Sequence, residues 1–339
     1  MRRRSMLALI GALALLVIPL VAAPVGAASR ISAEDARVYA YWTTERIASA
    51  RPRDFGPSGH LVPRAKPVGG SGVIGASWTG GGDVVKKTGK VYFSMGGGNW
   101  QCSGSVIADS RSGFSTVLTA GHCAIDETTG EFATNWVFIP SWDTKPASFS
   151  TACNTNATQY GCWRALGLYV HFGFADAGSF NDQAVTHDWA FAVVANGSSS
   201  GQLDTTVGGG YALSANTITT SSRVQPFGYP AAGKYHGNDL TWCAGSPSVD
   251  VTTRNVPEQK TWGVVCDMTG GSSGGPWFIG LTESGTGAGN GGVVVSLNSY
   301  GYSGVKNMYG PNFNSQTTTT LSTAQTGTSP ANTIVGSAP

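Results

Sequence analysis

An all-β fold is what the sequence predicts, and three observations predict it. Hydrophobic side chains make up 41% of the 339 residues, enough over that length to bury a sizeable core. They come mostly in short runs bounded by glycine and serine clusters, and 48 residues are glycine. Long stretches with helical periodicity are missing from the central region. The formal net charge is +2 with only 12% charged side chains, which leaves no electrostatic basis for a nucleic-acid partner.

The first residues read as a secretory signal over 1–28. Arg2, Arg3 and Arg4 precede an apolar run from Met6 to Val21, and small residues at Ala27 and Ala28 suit cleavage. Pro19 and Pro24 interrupt the run and argue against a membrane anchor. The mature protein is therefore expected to be exported, soluble and without membrane contact. Ile31 to Ala50 reads as one helix, capped by Ser32 with Asp35 three residues on, with Ala36, Tyr39, Ala40 and Ile47 on an apolar side. From Arg51 to Gly72, Pro52, Pro57, Pro63 and Pro67 alternate with basic residues, the composition of an extended, cuttable linker. Residues 29–66 thus read as propeptide and linker, with Arg64 and Lys66 as cut points, or else as an ordered arm kept in the mature protein.

Strands follow. Val91 to Phe93, Ser103 to Ile107, Thr116 to Leu118, Trp136 to Ile139, Leu166 to Phe172 and Trp189 to Val194 form a first half, about 85–200. In a second half, about 205–311, Val224 to Tyr229, Asp239 to Cys243, Thr261 to Cys266, Trp277 to Ile279 and Val293 to Leu297 are strand-like, and Leu281 to Gly292 is a long polar loop. Ser315 to Pro339 is rich in threonine and serine without periodic apolar residues, which reads as a fraying end with at most a short poor helix and a flexible tail over 326–339. The folded unit is accordingly expected over 67–325.

The chemistry centres on Gly270-Gly271-Ser272-Ser273-Gly274-Gly275-Pro276. A serine among small residues is how several folds expose a nucleophilic hydroxyl, because glycines turn tightly and let a carbonyl approach main-chain N–H groups. A hydroxyl needs a histidine base and a carboxylate to orient it. Thr119-Ala120-Gly121-His122-Cys123 offers the histidine, and His187-Asp188-Trp189-Ala190-Phe191 the aspartate at the head of an apolar run. Each alone has an ordinary structural explanation. Their conjunction in the order histidine, aspartate, serine does not.

These blocks, in this order, resemble the chymotrypsin/trypsin family of serine peptidases, in the style of its secreted bacterial, glutamyl-endopeptidase-like branch, from about Lys90 to Pro311. The resemblance implies two six-stranded antiparallel β-barrels with the active site between them. It implies a secreted endopeptidase acting through His122, Asp188 and Ser273 and an acyl-enzyme, with the N–H groups of Gly271 and Ser273 as oxyanion hole. The alternative is a non-catalytic binding protein on the same fold. No metal or organic cofactor is required. The implied partner is a protein or peptide substrate, met by a monomer.

In an exported chain the six cysteines are a candidate disulfide set with fifteen pairings. Resemblance together with proximity favours Cys102 with Cys123, Cys153 with Cys162 and Cys243 with Cys266. Six residues before Ser273 stands Asp267, where trypsin-like relatives carry the carboxylate that pairs with a basic substrate side chain; the alternative reading is a structural carboxylate. Ser296 and Asn298, in Val295-Ser296-Leu297-Asn298, resemble the strand that pairs with substrate backbone, with Val295 where Glu-specific enzymes often have histidine. Ser272 stands where the animal enzymes have the aspartate that receives a new N-terminal ammonium, so activation is expected not to depend on such a pair.

Overall fold

A computed structural model describes residues 32–53, 72–144, 153, 160–194, 201–251, 253 and 260–336; the leader, the proline-rich stretch and most of the Cys153 to Cys162 loop lie outside these residues. No helix among the described residues is long and apolar enough to cross a membrane. Among the described residues, sixteen strands dominate. In chain order they are β1 Arg51–Pro52, β2 Val73–Ser77, β3 Thr88–Met95, β4 Gly98–Ile107, β5 Ser115–Thr119, β6 Thr134–Pro140, β7 Trp163–His171 and β8 Ala190–Val194. Then come β9 Val224–Gly228, β10 Thr241–Ala244, β11 Ser248–Val249, β12 Thr261–Val265, β13 Pro276–Leu281, β14 Gly291–Leu297, β15 Asn307–Pro311 and β16 Thr333–Val335.

The first half closes on itself. Antiparallel pairing runs β4-β3-β6-β7-β8-β5, and β5 returns to β4, giving a six-stranded barrel without a free edge among these six. Two short parallel additions enlarge the sheet, β1 beside β4 and β16 beside β7. The interior is filled by apolar side chains that alternate inward, among them Val91, Phe93, Val106, Phe138, Val170 and Phe191. The second half hydrogen-bonds as β14-β13-β9-β10, extended by β2, and separately as β11-β12-β15. Its interior holds Val224, Trp262, Val264, Met268, Trp277, Val295 and Met308. The chain is thus mostly β, with a closed antiparallel barrel and a second half held as a five-stranded and a three-stranded sheet. Strand β15 is absent from the sequence reading because Asn307-Met308-Tyr309-Gly310-Pro311 contains glycine and proline, which seldom mark a strand.

The single helix expected over 31–50 is two helices, Ala33–Tyr41 and Thr44–Ser49, the first with a reciprocal Ser32–Asp35 cap. Trp42 interrupts them because its ring must turn inward: it is fully buried and its Nε1 donates to Asn135 O at 2.6 Å. The frayed tail is a second correction. A helix spans Ser315–Thr326, and β16 then pairs with β7. Threonine is a poor helix former, but Asn314 caps the first turn, and Thr319, Thr320 and Thr323 donate their hydroxyls to carbonyls one turn back. Thr317, Thr320 and Ala324 are buried, so tertiary packing overrides propensity.

Candidate active site

The two halves meet where β5 ends, β8 begins and the loop before β13 turns. β5 runs into a 3₁₀ turn, Gly121–Cys123, which presents His122, and Asp188 stands two residues ahead of β8, the neighbour of β5. Both side chains are fully buried. The main-chain N–H of His122 donates to Asp188 Oδ1 at 2.8 Å, and Nδ1 lies 2.8 Å from Oδ2. An ionised carboxylate only accepts, so Nδ1 carries the proton and Nε2 is the basic nitrogen. The ring packs edge-on against Phe180 at 5.7 Å between centroids. A disulfide ties Cys123 to Cys102 on β4 and fixes the turn to its barrel.

Ser273 is brought to this turn by main-chain contacts. Its carbonyl accepts from Ser103 N at 2.7 Å, next to Cys102. Gly274, at φ +82°, lies so close to Thr119 and Ala120 that a Cβ would stand 2.3 Å from Thr119 Oγ1 and 2.7 Å from Ala120 N. Only a residue without a side chain fits there. On the other side, Gly274 N donates to Asn298 O at 2.7 Å. Ser103 also braces the loop: its hydroxyl donates to Gly271 O at 2.8 Å and accepts from Tyr229 N at 2.9 Å. Gly271 adopts φ +96°, a region side chains disfavour, and a Cβ would meet Tyr229 O at 2.9 Å. Among the described residues, the N–H groups of Gly271 and Ser273 have no protein acceptor. Ser272 closes the turn locally, its hydroxyl and its N–H both donating to Thr269 O, at 2.8 and 3.2 Å.

A cavity of about 540 Å³ opens beside Ser273. Its walls are residues 266–270 and 299–308. Asp267 lines it, but the carboxylate already accepts from Lys234 Nζ at 2.8 Å and Tyr235 Oη at 2.5 Å. Burial works to raise its pKa, and the hydrogen bonds from Lys234 and Tyr235, with the charges of Lys234 and Lys306, outweigh it and hold it below the ordinary value. Its charge is balanced by the protein before any substrate arrives. Tyr300 and Tyr302 both donate to the buried Asp250, at 2.6 and 2.8 Å, and Tyr300 stacks on Tyr309, which stiffens this wall.

The structure buries both residues that the sequence reading assigned to substrate, Ser296 and Asn298. Ser296 is buried within β14 and donates its hydroxyl to Pro311 O at 2.7 Å. Asn298 is buried too: its Nδ2 donates to Phe227 O and Ser272 O, and its Oδ1 accepts from Trp277 Nε1. Both are committed to the protein. The residue at the site is Ser299, just past the end of β14, whose hydroxyl donates to Asp188 Oδ2 at 2.5 Å, followed by Tyr300 and Gly301 on the cavity wall. A serine followed by an aromatic residue and glycine was the available signal.

Cys153–Cys162 and Cys243–Cys266 are bonded as well. Cys102, His122 and Cys123 lie close enough together to suggest a metal site, but both sulfurs are in the disulfide, so no thiolate is left to bind one. No protein-family model matches the chain, and no curated protein does. Solved structures do. A thermostable serine protease, AL20, from an extremophilic microorganism is 33% identical with a TM-score of 0.57, covering 72% of this chain and 99% of its own. The protease Anisep from Arthrobacter nicotinovorans is 34% identical with a TM-score of 0.57, covering 75% of this chain and 100% of its own. A Glu endopeptidase is 18% identical with a TM-score of 0.50, covering 70% and 90%, and shares the fold.

Proposed function

Since the chain belongs to the chymotrypsin-like serine peptidases, we propose that it is a secreted endopeptidase that cleaves peptide bonds through an acyl-enzyme on Ser273. His122 Nε2 takes the proton from Ser273 as the hydroxyl attacks the substrate carbonyl, then returns it to the departing amine. Asp188 holds His122 in the tautomer this requires and balances the charge it acquires. The N–H groups of Gly271 and Ser273 receive the oxyanion, each such donor contributing about 3 kcal/mol to barrier lowering. The single observation that carries the reading is the buried His122–Asp188 pair, bonded through both main chain and ring and topped by Ser299. Structural histidines seldom need three donors on one partner carboxylate.

Export through removal of 1–28 belongs to the same proposal, supported by three disulfides of the kind an oxidising compartment preserves, and the proposal includes a cut near Arg64 or Lys66 and action as a monomer. Ser272 favours an oxyanion loop formed before any cut, since its hydroxyl is spent within its own turn and offers no charge to a new N-terminus. The test is covalent labelling by a fluorophosphonate. Wild-type protein should be labelled at Ser273, and Ser273→Ala should be folded, unlabelled and lower in peptidase activity by several orders of magnitude. Undiminished peptidase activity in Ser273→Ala would falsify the assignment.

A further inference from the structure

We infer that residues 32–53 are a permanent part of the catalytic unit and that Arg53, at their end, is a positioning residue for His122. The inference rests on the role proposed for His122.

The arm is docked as a core element is docked. Its two helices bring Val38, Tyr39, Trp42 and Ile47 into the main hydrophobic cluster, with Trp42 against Tyr92 of β3. Arg164 on β7 binds Asp35 through Nε at 2.5 Å. β1 then lies along β4 in parallel register, with Arg51 opposite Trp100 and Pro52 opposite Gln101. Gln101 fastens it by donating from Nε2 to Ala50 O at 2.6 Å. Propeptides that merely shade a cleft have no need to supply a strand to the barrel that carries the base.

Arg53 goes further. It is 4% exposed, and its guanidinium lies directly under the histidine turn. Nη1 donates to His122 O at 2.7 Å and reaches Ile125 O at 3.5 Å, with Met95 Sδ also in contact. Nη2 meets Asp126 at 3.4 Å and the buried Glu127 at 3.3 Å. The peptide unit of His122 is therefore held at both ends, N–H by Asp188 and C=O by Arg53. Removing the arm would leave Glu127 buried without this cation and free the carbonyl side of the turn, an arrangement the sequence of a discardable segment has no reason to build. A cut within 54–71 should accordingly leave the arm on the barrel.

Retention is read without any activity, so it stands or falls apart from the assignment of Ser273. In the Ser273→Ala chain, a recognition site for a heterologous peptidase is placed within 54–71 and cut. The arm should co-elute with the rest on native size exclusion and separate only in denaturant; release under native conditions would overturn the inference. Positioning is read in the otherwise wild-type chain. Arg53→Met should lower kcat about 10- to 100-fold with KM nearly unchanged, because a displaced base slows chemistry and not binding, and Arg53→Lys should recover part of the loss. If Arg53→Met does not fold, Arg53→Lys alone decides: kcat reduced at unchanged KM supports the role. Wild-type kcat in either folded variant, or a change confined to KM, would overturn it.

Discussion

Ser299→Ala tests how Asp188 is held. The hydroxyl donates to Asp188 Oδ2 at 2.5 Å, and the same carboxylate accepts two bonds from His122 at 2.8 Å each. A hydrogen bond to a charged group contributes about 1.5–3 kcal/mol, or roughly 10- to 150-fold in rate if the whole of it serves the orientation of His122. Two of three donors survive in the variant, so the loss should fall short of the roughly 10⁴-fold caused by removing the carboxylate charge itself in such triads. The expected result is a 10- to 100-fold drop in kcat/KM, carried mainly by kcat. It should be measured on a short chromogenic peptide, with active sites titrated by fluorophosphonate so that misfolded protein is not counted. Unchanged kcat/KM would mean that Ser299 is a bystander. A loss as deep as that of Ser273→Ala would mean that it does more than orient Asp188. Either result refutes the reasoning.

Two further outcomes follow from other parts of the site. Gly271→Ala should fold with modest destabilisation, since a left-handed Ala costs about 1–2 kcal/mol, yet lose roughly 100-fold in kcat because the new Cβ meets Tyr229 O at 2.9 Å and turns the N–H away; near-normal kcat would exclude this N–H as an oxyanion donor. His171, stacked on His187 at 4.9 Å, has its pKa lowered to about 4 by burial and by its neighbour's charge, so below about pH 6.5 the unfolded chain binds the proton first and stability falls until about pH 4. Thermal midpoints of Ser273→Ala should drop across that window and be level above it, and His171→Gln should flatten the drop; a pH-independent midpoint would contradict the linkage.

Much of the fold, and the residues of the candidate site, could be read from the chain because the signals were local. A glycine-flanked serine, a histidine beside a cysteine and an aspartate heading an apolar run each carry their meaning within five residues. That Ser299, which bonds Asp188, went unread had a physical cause. Ser296 and Ser299 lie three residues apart, and which of them clears the end of β14 depends on the pairing of Trp277 with Ser296, a long-range register that no local pattern reveals. Arg53 was illegible for the opposite reason. An arginine among prolines has the composition of a solvated linker, and its burial is specified by Asp126 and Glu127, more than seventy residues away. The terminal helix read only as short and poor because threonine propensity disfavours it, while Asn314 and the packing of Thr320 favour it.

Ser103 belongs to the barrel that carries the base, yet it grips the nucleophile loop at Gly271 and Ser273 and the end of β9 at Tyr229. A copy whose halves have folded but not yet met has its base in one piece and its nucleophile in the other. Docking of the two halves, which Ser103 secures, is therefore what would assemble the proposed triad.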